Sequence, residues 1–177
     1  TADSELTVSQ GYTLTLSQSG GLALGANTLT LSGGGSLVSG GLTLNNANSK
    51  LLLNSITVDS VSTTIENSLG LDVDNNSTIT ALSVGHITPV SIAAGKSLSG
   101  AITVSAGSIK LDEAGTLSST IAMSGGTIDA DESLTLSGAL TQSGDITVDV
   151  ADNKTLTYSG SAISVGANTI TLSGGGS

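Results

Sequence analysis

Acidic side chains two positions apart are the residues of this sequence that could most directly do chemistry. Asp129 and Asp131 form one such pair, with Glu132 beside them, and Asp72 and Asp74 form another. Residues i and i+2 of a β-strand point to the same side, so each pair would bring two carboxyl groups together. A carboxyl pair of this kind serves as acid and base in glycoside hydrolysis. One hypothesis is therefore a carbohydrate-active enzyme that uses Asp129 and Asp131.

Other features of the sequence argue against catalysis. A sugar cleft normally presents aromatic platforms and cationic partners, but aromatic residues make up 1% of this chain and Arg is absent. His86 is the one His, it lies in the turn-like stretch Gly85-His86-Ile87-Thr88-Pro89, and no Gly-x-Ser-x-Gly motif accompanies it. We therefore expect a protein that is not an enzyme, with His86 in a turn.

The first acidic pair also suggests a metal site. Ca²⁺ prefers several oxygen ligands, and Asp72, Asp74 and Asn76 offer carboxylate and amide oxygens within a short stretch of chain. The calcium loop of EF-hands does not fit, because its last position would be Ser83 rather than Glu. These three residues are the candidate calcium site, and no other cofactor is expected.

Composition excludes several classes of protein. Four Lys and no Arg stand against fourteen acidic residues, for a net charge of −10, so the chain is unsuited to neutralising a nucleic-acid backbone. No Cys is present, which excludes disulfides and thiolate metal sites. No apolar run approaches the roughly 20 residues of a membrane-spanning helix. We therefore expect no nucleic-acid partner and no membrane insertion by this segment.

The elements that must position these side chains are short β-strands. Aliphatic and polar residues alternate along the whole chain, as in Thr28-Leu29-Thr30-Leu31 and Ile102-Thr103-Val104. This period of two predicts strands with one buried face, while Gly, Asn and Asp in the spacers predict turns. Helix formers are too scarce for three helical turns in any window. The sequence predicts an all-β protein.

Strand spacing and an internal repeat favour a solenoid over a sandwich. Strand pairs recur about every 17 residues, and Gly25–Ser36 returns as Gly166–Ser177 with one change in twelve positions. We expect a right-handed parallel β-solenoid of nine or ten irregular coils. Residues 1–177 would form one domain, either a segment of a longer repetitive chain or a subunit of a stacked fibre, because Ser36 is followed by more solenoid.

Outward-pointing Thr pairs suggest a binding face. A regular Thr array resembles the surface with which some β-helical antifreeze proteins order water, so ice or a glycan is an alternative ligand. We expect a broken array, because Asp72, Lys110, Asp129 and Ala122 occupy outward positions between the first and last pairs. The pairs are Thr13/Thr15, Thr28/Thr30, Thr78/Thr80, Thr155/Thr157 and Thr169/Thr171.

Recurring stretches of the type Leu-Thr-Leu-Ser-Gly, with Gly-, Ser-, Thr- and Asn-rich spacers, resemble those of bacterial secreted β-helical surface proteins. Autotransporter passenger domains and filamentous-haemagglutinin-type adhesins are the nearest comparison. The resemblance implies an extracellular or cell-surface location and a structural or adhesive role, as an adhesin stalk or a filament subunit. The implied partners are further copies or repeats joined end to end, and glycans of host or matrix surfaces. The matching stretches are Thr13–Ser17, Thr28–Gly33, Leu134–Gly138, Thr155–Gly160 and Thr169–Gly174.

Overall fold

The structure is a computed structural model that describes residues 2–18, 20–65 and 69–177. Within these ranges the chain forms strands and turns, and no helix that could cross a membrane is present. The strands are β1 (Ser4–Thr7), β2 (Thr13–Thr15), β3 (Leu22–Ala23), β4 (Thr28–Ser32), β5 (Ser36–Val38), β6 (Leu42–Leu44), β7 (Lys50–Asn54), β8 (Thr57–Thr63), β9 (Gly70–Val73), β10 (Ser77–Val84), β11 (Thr88–Ile92), β12 (Ser97–Val104), β13 (Ser108–Leu111), β14 (Thr116–Leu117), β15 (Thr120–Met123), β16 (Thr127–Ala130), β17 (Leu134–Leu136), β18 (Leu140–Gln142), β19 (Ile146–Val150), β20 (Leu156–Tyr158) and β21 (Ile170–Gly174).

These strands form two parallel sheets that the chain visits in alternation. The nine-stranded sheet has the order β1-β4-β7-β9-β11-β13-β16-β19-β21, and the other strands form a twelve-stranded sheet. Neighbouring strands in both sheets run parallel and belong to successive turns of the chain. The all-β class and the parallel β-solenoid predicted from the sequence are therefore confirmed.

The solenoid has about eight turns, and the nine or ten coils expected from the sequence are not confirmed. Side chains that meet on neighbouring turns lie from 19 residues apart, as for Ser118 and Ser137, to 25 residues apart, as for Thr7 and Ser32. A turn is thus longer than the spacing of strand pairs in the sequence suggested. The spacing of strand pairs underestimates the length of a turn because each turn contains two or three strands, so that one pair of strands can belong to two different turns.

Aliphatic side chains from both sheets stack in columns to form the core. In the nine-stranded sheet, Leu31, Leu53 and Val73 follow one another in register and are at most 1% exposed. In the twelve-stranded sheet, Leu82 and Ile102 are likewise in register and are at most 2% exposed. Each turn therefore rests its apolar face on the turns before and after it, as expected where large aromatic residues are lacking.

Polar groups at the corners are satisfied by side chains of the next turn. The carboxylate of Asp59 accepts hydrogen bonds from the N–H and hydroxyl of Ser39, at 3.1 and 2.9 Å, and from the N–H of Gly40 at 3.0 Å. Ser39 is fully buried and Gly40 is exposed, so the Asp59 carboxylate satisfies donors at the edge of the core. Burial would raise the pKa of Asp59, but hydrogen bonds from Ser60, Ser39 and Gly40 hold that pKa below its usual value.

Candidate functional site: two faces and one open end

Two of the three residues of the candidate calcium site are bound to protein groups. Asp72 lies on β9 and forms an ion pair with Lys50 of the preceding turn. The side-chain oxygen of Asn76 accepts hydrogen bonds from the N–H and hydroxyl of Ser97, at 3.0 and 3.3 Å. Asp74 follows β9 and is exposed. Calcium binding remains a prediction, and it requires the ion to displace the Lys50 ammonium group.

The second acidic pair belongs to a charged cluster that forms around Lys110. The Lys110 ammonium group donates to Asp112 at 3.0 Å and to Asp131 of the next turn, which raises the pKa of Lys110 above its usual value. Asp129 stands in register with Lys110 on one side and with Asp149 on the other. Within the described residues, no group of three or more acidic or His side chains is placed to hold a metal ion.

Within this cluster, Asp129 is the carboxyl group whose ionised form is disfavoured. Burial raises the pKa of Asp129, the neighbouring Asp131 and Asp149 carboxylates add to the rise, and Lys110 partly opposes it. Asp131, in contrast, is paired with Lys110. The two carboxyl groups thus have different environments, as an acid and base pair would. Enzymatic use of Asp129 and Asp131 remains a hypothesis.

The histidine occupies the place expected for it. His86 lies in the bend between β10 and β11 and is half-buried. Its backbone carbonyl accepts a hydrogen bond from the hydroxyl of Thr88 at 3.2 Å. The prediction that His86 lies in a turn is confirmed.

The twelve-stranded sheet presents an almost uncharged outer face. Among the described residues of its strands, Asp59 is the one charged residue, and its carboxylate binds the corner at Ser39 and Gly40. Small side chains of successive turns stand in register on this face. We call this series the hydroxyl column: Ala23, Thr43, Ser62, Ser83, Thr103, Ala122 and Thr141.

The expectation that charged residues interrupt the outward Thr array is confirmed on the nine-stranded sheet, where Lys50 stands in register with Thr28 and Asp72 follows Thr30 two turns on, but it does not hold on the twelve-stranded sheet. Asp72, Lys110 and Asp129 lie on β9, β13 and β16, which belong to the nine-stranded sheet on another side of the solenoid. Ala122 does lie in the hydroxyl column, but it is small and uncharged. The Thr pairs themselves are divided between the sheets, since Thr28 and Thr30 are on β4 and others are on β2 and β10.

The end of the solenoid formed by β20 and β21 exposes part of the core. We call it the open end. It contains a cavity of about 470 Å³ lined mainly by aliphatic side chains, among them Leu156, Ile163, Ile170 and Leu172. Leu172 is 77% exposed, and β21 is the last strand of the nine-stranded sheet. The walls of this cavity come from several turns, so alternation along the sequence does not predict it.

Comparisons with known proteins gave no match: the chain matches no family model, no curated protein and no solved structure at a significant level. The surfaces of the solenoid are therefore the basis for the functional argument.

Proposed function

We propose that this chain is a structural segment of an extracellular bacterial surface protein, a rod in an adhesin stalk or a filament whose units join end to end. The observation that carries the proposal is the apolar open end. Leu172 would be an inward-facing core residue if another turn followed, and here it is 77% exposed. A large apolar surface of this kind is typical of an interface.

Joining at this end would pair backbone hydrogen-bonding groups and bury aliphatic side chains in the same step. β21 is an edge strand of the nine-stranded sheet, and an edge strand presents a row of backbone N–H and C=O groups to a further strand. Beside that edge, Ile170 and Leu172 line the open cavity. A docked β-turn would extend the ladder and remove the aliphatic surface from water in the same step.

The winding that we propose is right-handed. Consecutive strands of the nine-stranded sheet, such as β4 and β7, are parallel and are connected through strands of the other sheet. Crossover connections between parallel strands of one sheet are right-handed in nearly all proteins. The resemblance to secreted β-helical surface proteins supports an extracellular location, and the acidic surface with a net charge of −10 supports solubility there.

Electron microscopy of the purified chain tests this role. We expect rods whose length grows with protein concentration. Leu172→Asp places a charge in the joint and should shorten the rods to single units. Thr103→Asp is the matched control, since Thr103 is exposed on a side face of the solenoid, and it should leave the rods unchanged. Single, uniform particles from the unmodified chain at high concentration would contradict the proposal.

A second function, binding of ice or a glycan, is favoured by one observation, the hydroxyl column. Its seven positions hold Ser, Thr or Ala and no charge, and parallel turns repeat at about 4.8 Å. Neighbouring positions add further hydroxyl groups, such as Thr78 and Ser99, whose oxygens are 2.8 Å apart. Such a face offers a regular set of donors and acceptors to a flat polar ligand.

Thermal hysteresis and glycan-array binding test this second function. Thr103→Glu interrupts the hydroxyl column and should abolish either signal, whereas Ser91→Glu on the nine-stranded sheet should leave it intact. The absence of both signals in the unmodified chain would remove this function.

A further inference from the structure

Two parts of the chain, at opposite ends of the solenoid, share a set of hydrogen bonds. We call residues 3–18 and 20–36 the first unit, and residues 145–177 the second unit. The identical sequence in Gly25–Ser36 and Gly166–Ser177, apart from one position, accounts for the second half of each unit. The first halves are less alike in sequence, so the hydrogen bonds that both first halves accept are an independent observation.

The same hydrogen bonds hold each unit together. The N–H of Thr28 donates to the carboxylate of Asp3 at 2.7 Å, and the N–H of Thr169 donates to the carboxylate of Asp145 at 2.7 Å. Two further backbone bonds occur in both units. Gly35 N–H donates to Val8 O at 2.9 Å, and its counterpart Gly176 N–H donates to Val150 O at 3.1 Å. Ser36 N–H donates to Tyr12 O, and its counterpart Ser177 N–H donates to Lys154 O, both at 3.0 Å.

The first unit is covered by the turn that follows it in the chain. That turn runs from Leu37 to Thr63 and includes β7 and β8. Its backbone bonds to the first unit are Lys50 N–H to Asn27 O at 3.1 Å, Thr57 N–H to Gly35 O at 3.1 Å, and Gly34 N–H to Ser55 O at 2.6 Å. Under this cover Leu31 is 0% exposed.

The second unit presents the same surface without the cover. The carbonyl groups of Asn168 and Gly176 and the N–H of Gly175 are the counterparts of the groups that bind the covering turn. Leu172 is the counterpart of Leu31, and it is 77% exposed instead of 0%. The open end is therefore a copy of a surface whose occupant is visible elsewhere in the molecule.

We propose that the open end joins a repeat of residues 37–177, whose turn Leu37–Thr63 covers it, because in a full second copy that turn is already bonded to its own first unit. The solenoid then continues with a period equal to the offset between Gly25 and Gly166, which corresponds to seven turns, from β4 to β21. This inference rests on the proposed end-to-end role, and it names the partner and the register. The amino-terminal turn of a second copy, which carries β1 to β3, is the competing occupant.

Two fusion proteins distinguish these occupants. In the tandem fusion, residues 37–177 of a second copy follow Ser177 directly, so that the turn Leu37–Thr63 meets the open end. In the control fusion, residues 2–177 follow Ser177, so that β1 to β3 meet it. Hydrogen exchange is measured at the amides of β21 in the single chain and in both fusions. We expect exchange at least roughly tenfold slower in the tandem fusion than in the control fusion, because its edge amides gain the ladder bonds of a matching turn.

Leu172→Asp supplies a second measurement. In the tandem fusion Leu172 takes the buried place that Leu31 has in the first unit, so the substitution should lower the melting temperature by more than about 5 °C, but by less than about 2 °C in the single chain. Equal protection in both fusions, no protection in the tandem fusion, or a tandem fusion that fails to fold while the control folds would overturn the inference. Filaments of the unmodified chain beside an unprotected tandem fusion would overturn this inference and leave the proposed function standing.

Discussion

The paired leucines of the two units give the sharpest prediction of stability. Leu31 and Leu172 occupy equivalent positions, but Leu31 is 0% exposed and Leu172 is 77% exposed. Truncation of a fully buried Leu to Ala typically costs about 3 kcal/mol, which combines lost burial with the cavity left behind. Leu172 has less than a quarter of its surface removed from water and leaves no enclosed cavity. We expect Leu31→Ala to cost about 3 kcal/mol and Leu172→Ala about 0.6 kcal/mol.

Urea unfolding followed by far-ultraviolet circular dichroism measures both variants at a protein concentration where the chain is monomeric. Both substitutions remove the same atoms from strands with nearly the same sequence, so local propensity cancels in the comparison. A difference well above about 1 kcal/mol between the variants supports burial by the next turn as the source of stability. Equal costs would refute it, because the stabilising contacts would then lie within each unit.

Three further predictions concern single side chains and share the same unfolding assay. The pKa of Asp59 is lowered in the folded protein, so Asp59→Asn should lower the free energy of unfolding by about 1–2 kcal/mol at neutral pH. This loss should shrink as the pH falls through the folded pKa. An unchanged loss in acid would contradict the charged hydrogen bonds to Ser39. The pKa of Asp129 is raised, so its charge opposes folding at neutral pH, and Asp129→Asn should raise the melting temperature there by roughly 1–3 °C. This gain should disappear as the pH falls toward the pKa of Asp in the unfolded chain, about 3.9. A loss of stability at neutral pH would contradict the prediction. Gly100 has a φ of 121° and lies where a Cβ would overlap the carbonyl oxygen of Ile79, so Gly100→Ala should lower the free energy of unfolding by about 3 kcal/mol. Gly95 has a φ of 73° and open space around it, so Gly95→Ala should lower it by about 1 kcal/mol. Similar losses for both variants would contradict the prediction.

The fold class could be predicted from the sequence because alternation is a local signal. In Thr28-Leu29-Thr30-Leu31, strand type and the buried side follow from the residues themselves, and the structure buries Leu29 and Leu31 as expected. The number of turns could not be predicted in this way. Partners on neighbouring turns are separated by 19 residues at Ser118 and Ser137 and by 25 residues at Thr7 and Ser32, so spacing alone does not identify which strands stack.

The same uncertainty in register explains what was missed at the surfaces. Separation of charge between the two sheets depends on which sheet receives each strand, and alternation does not carry that information. Asp129 lies on the nine-stranded sheet with Thr28 and Thr30, whereas Thr13 and Thr78 lie on the twelve-stranded sheet, so one outward pattern in the sequence becomes two different faces in the structure. The cluster around Lys110 has a weak signal in the sequence, because Lys110 and Asp131 are 21 residues apart, close to the length of one turn.

Distances between paired nitroxide spin labels test the solenoid itself most directly. The chain has no Cys, so labels can be attached through pairs of Cys introduced in the hydroxyl column. From Thr43 to Ala122, from Thr43 to Thr141 and from Ala23 to Thr141, the labels are separated by four, five and six turns in register. At about 4.8 Å per turn, pulsed electron paramagnetic resonance should give distances near about 19, 24 and 29 Å. Distances that do not increase by about 5 Å with each added turn would contradict a chain wound in parallel turns around one axis.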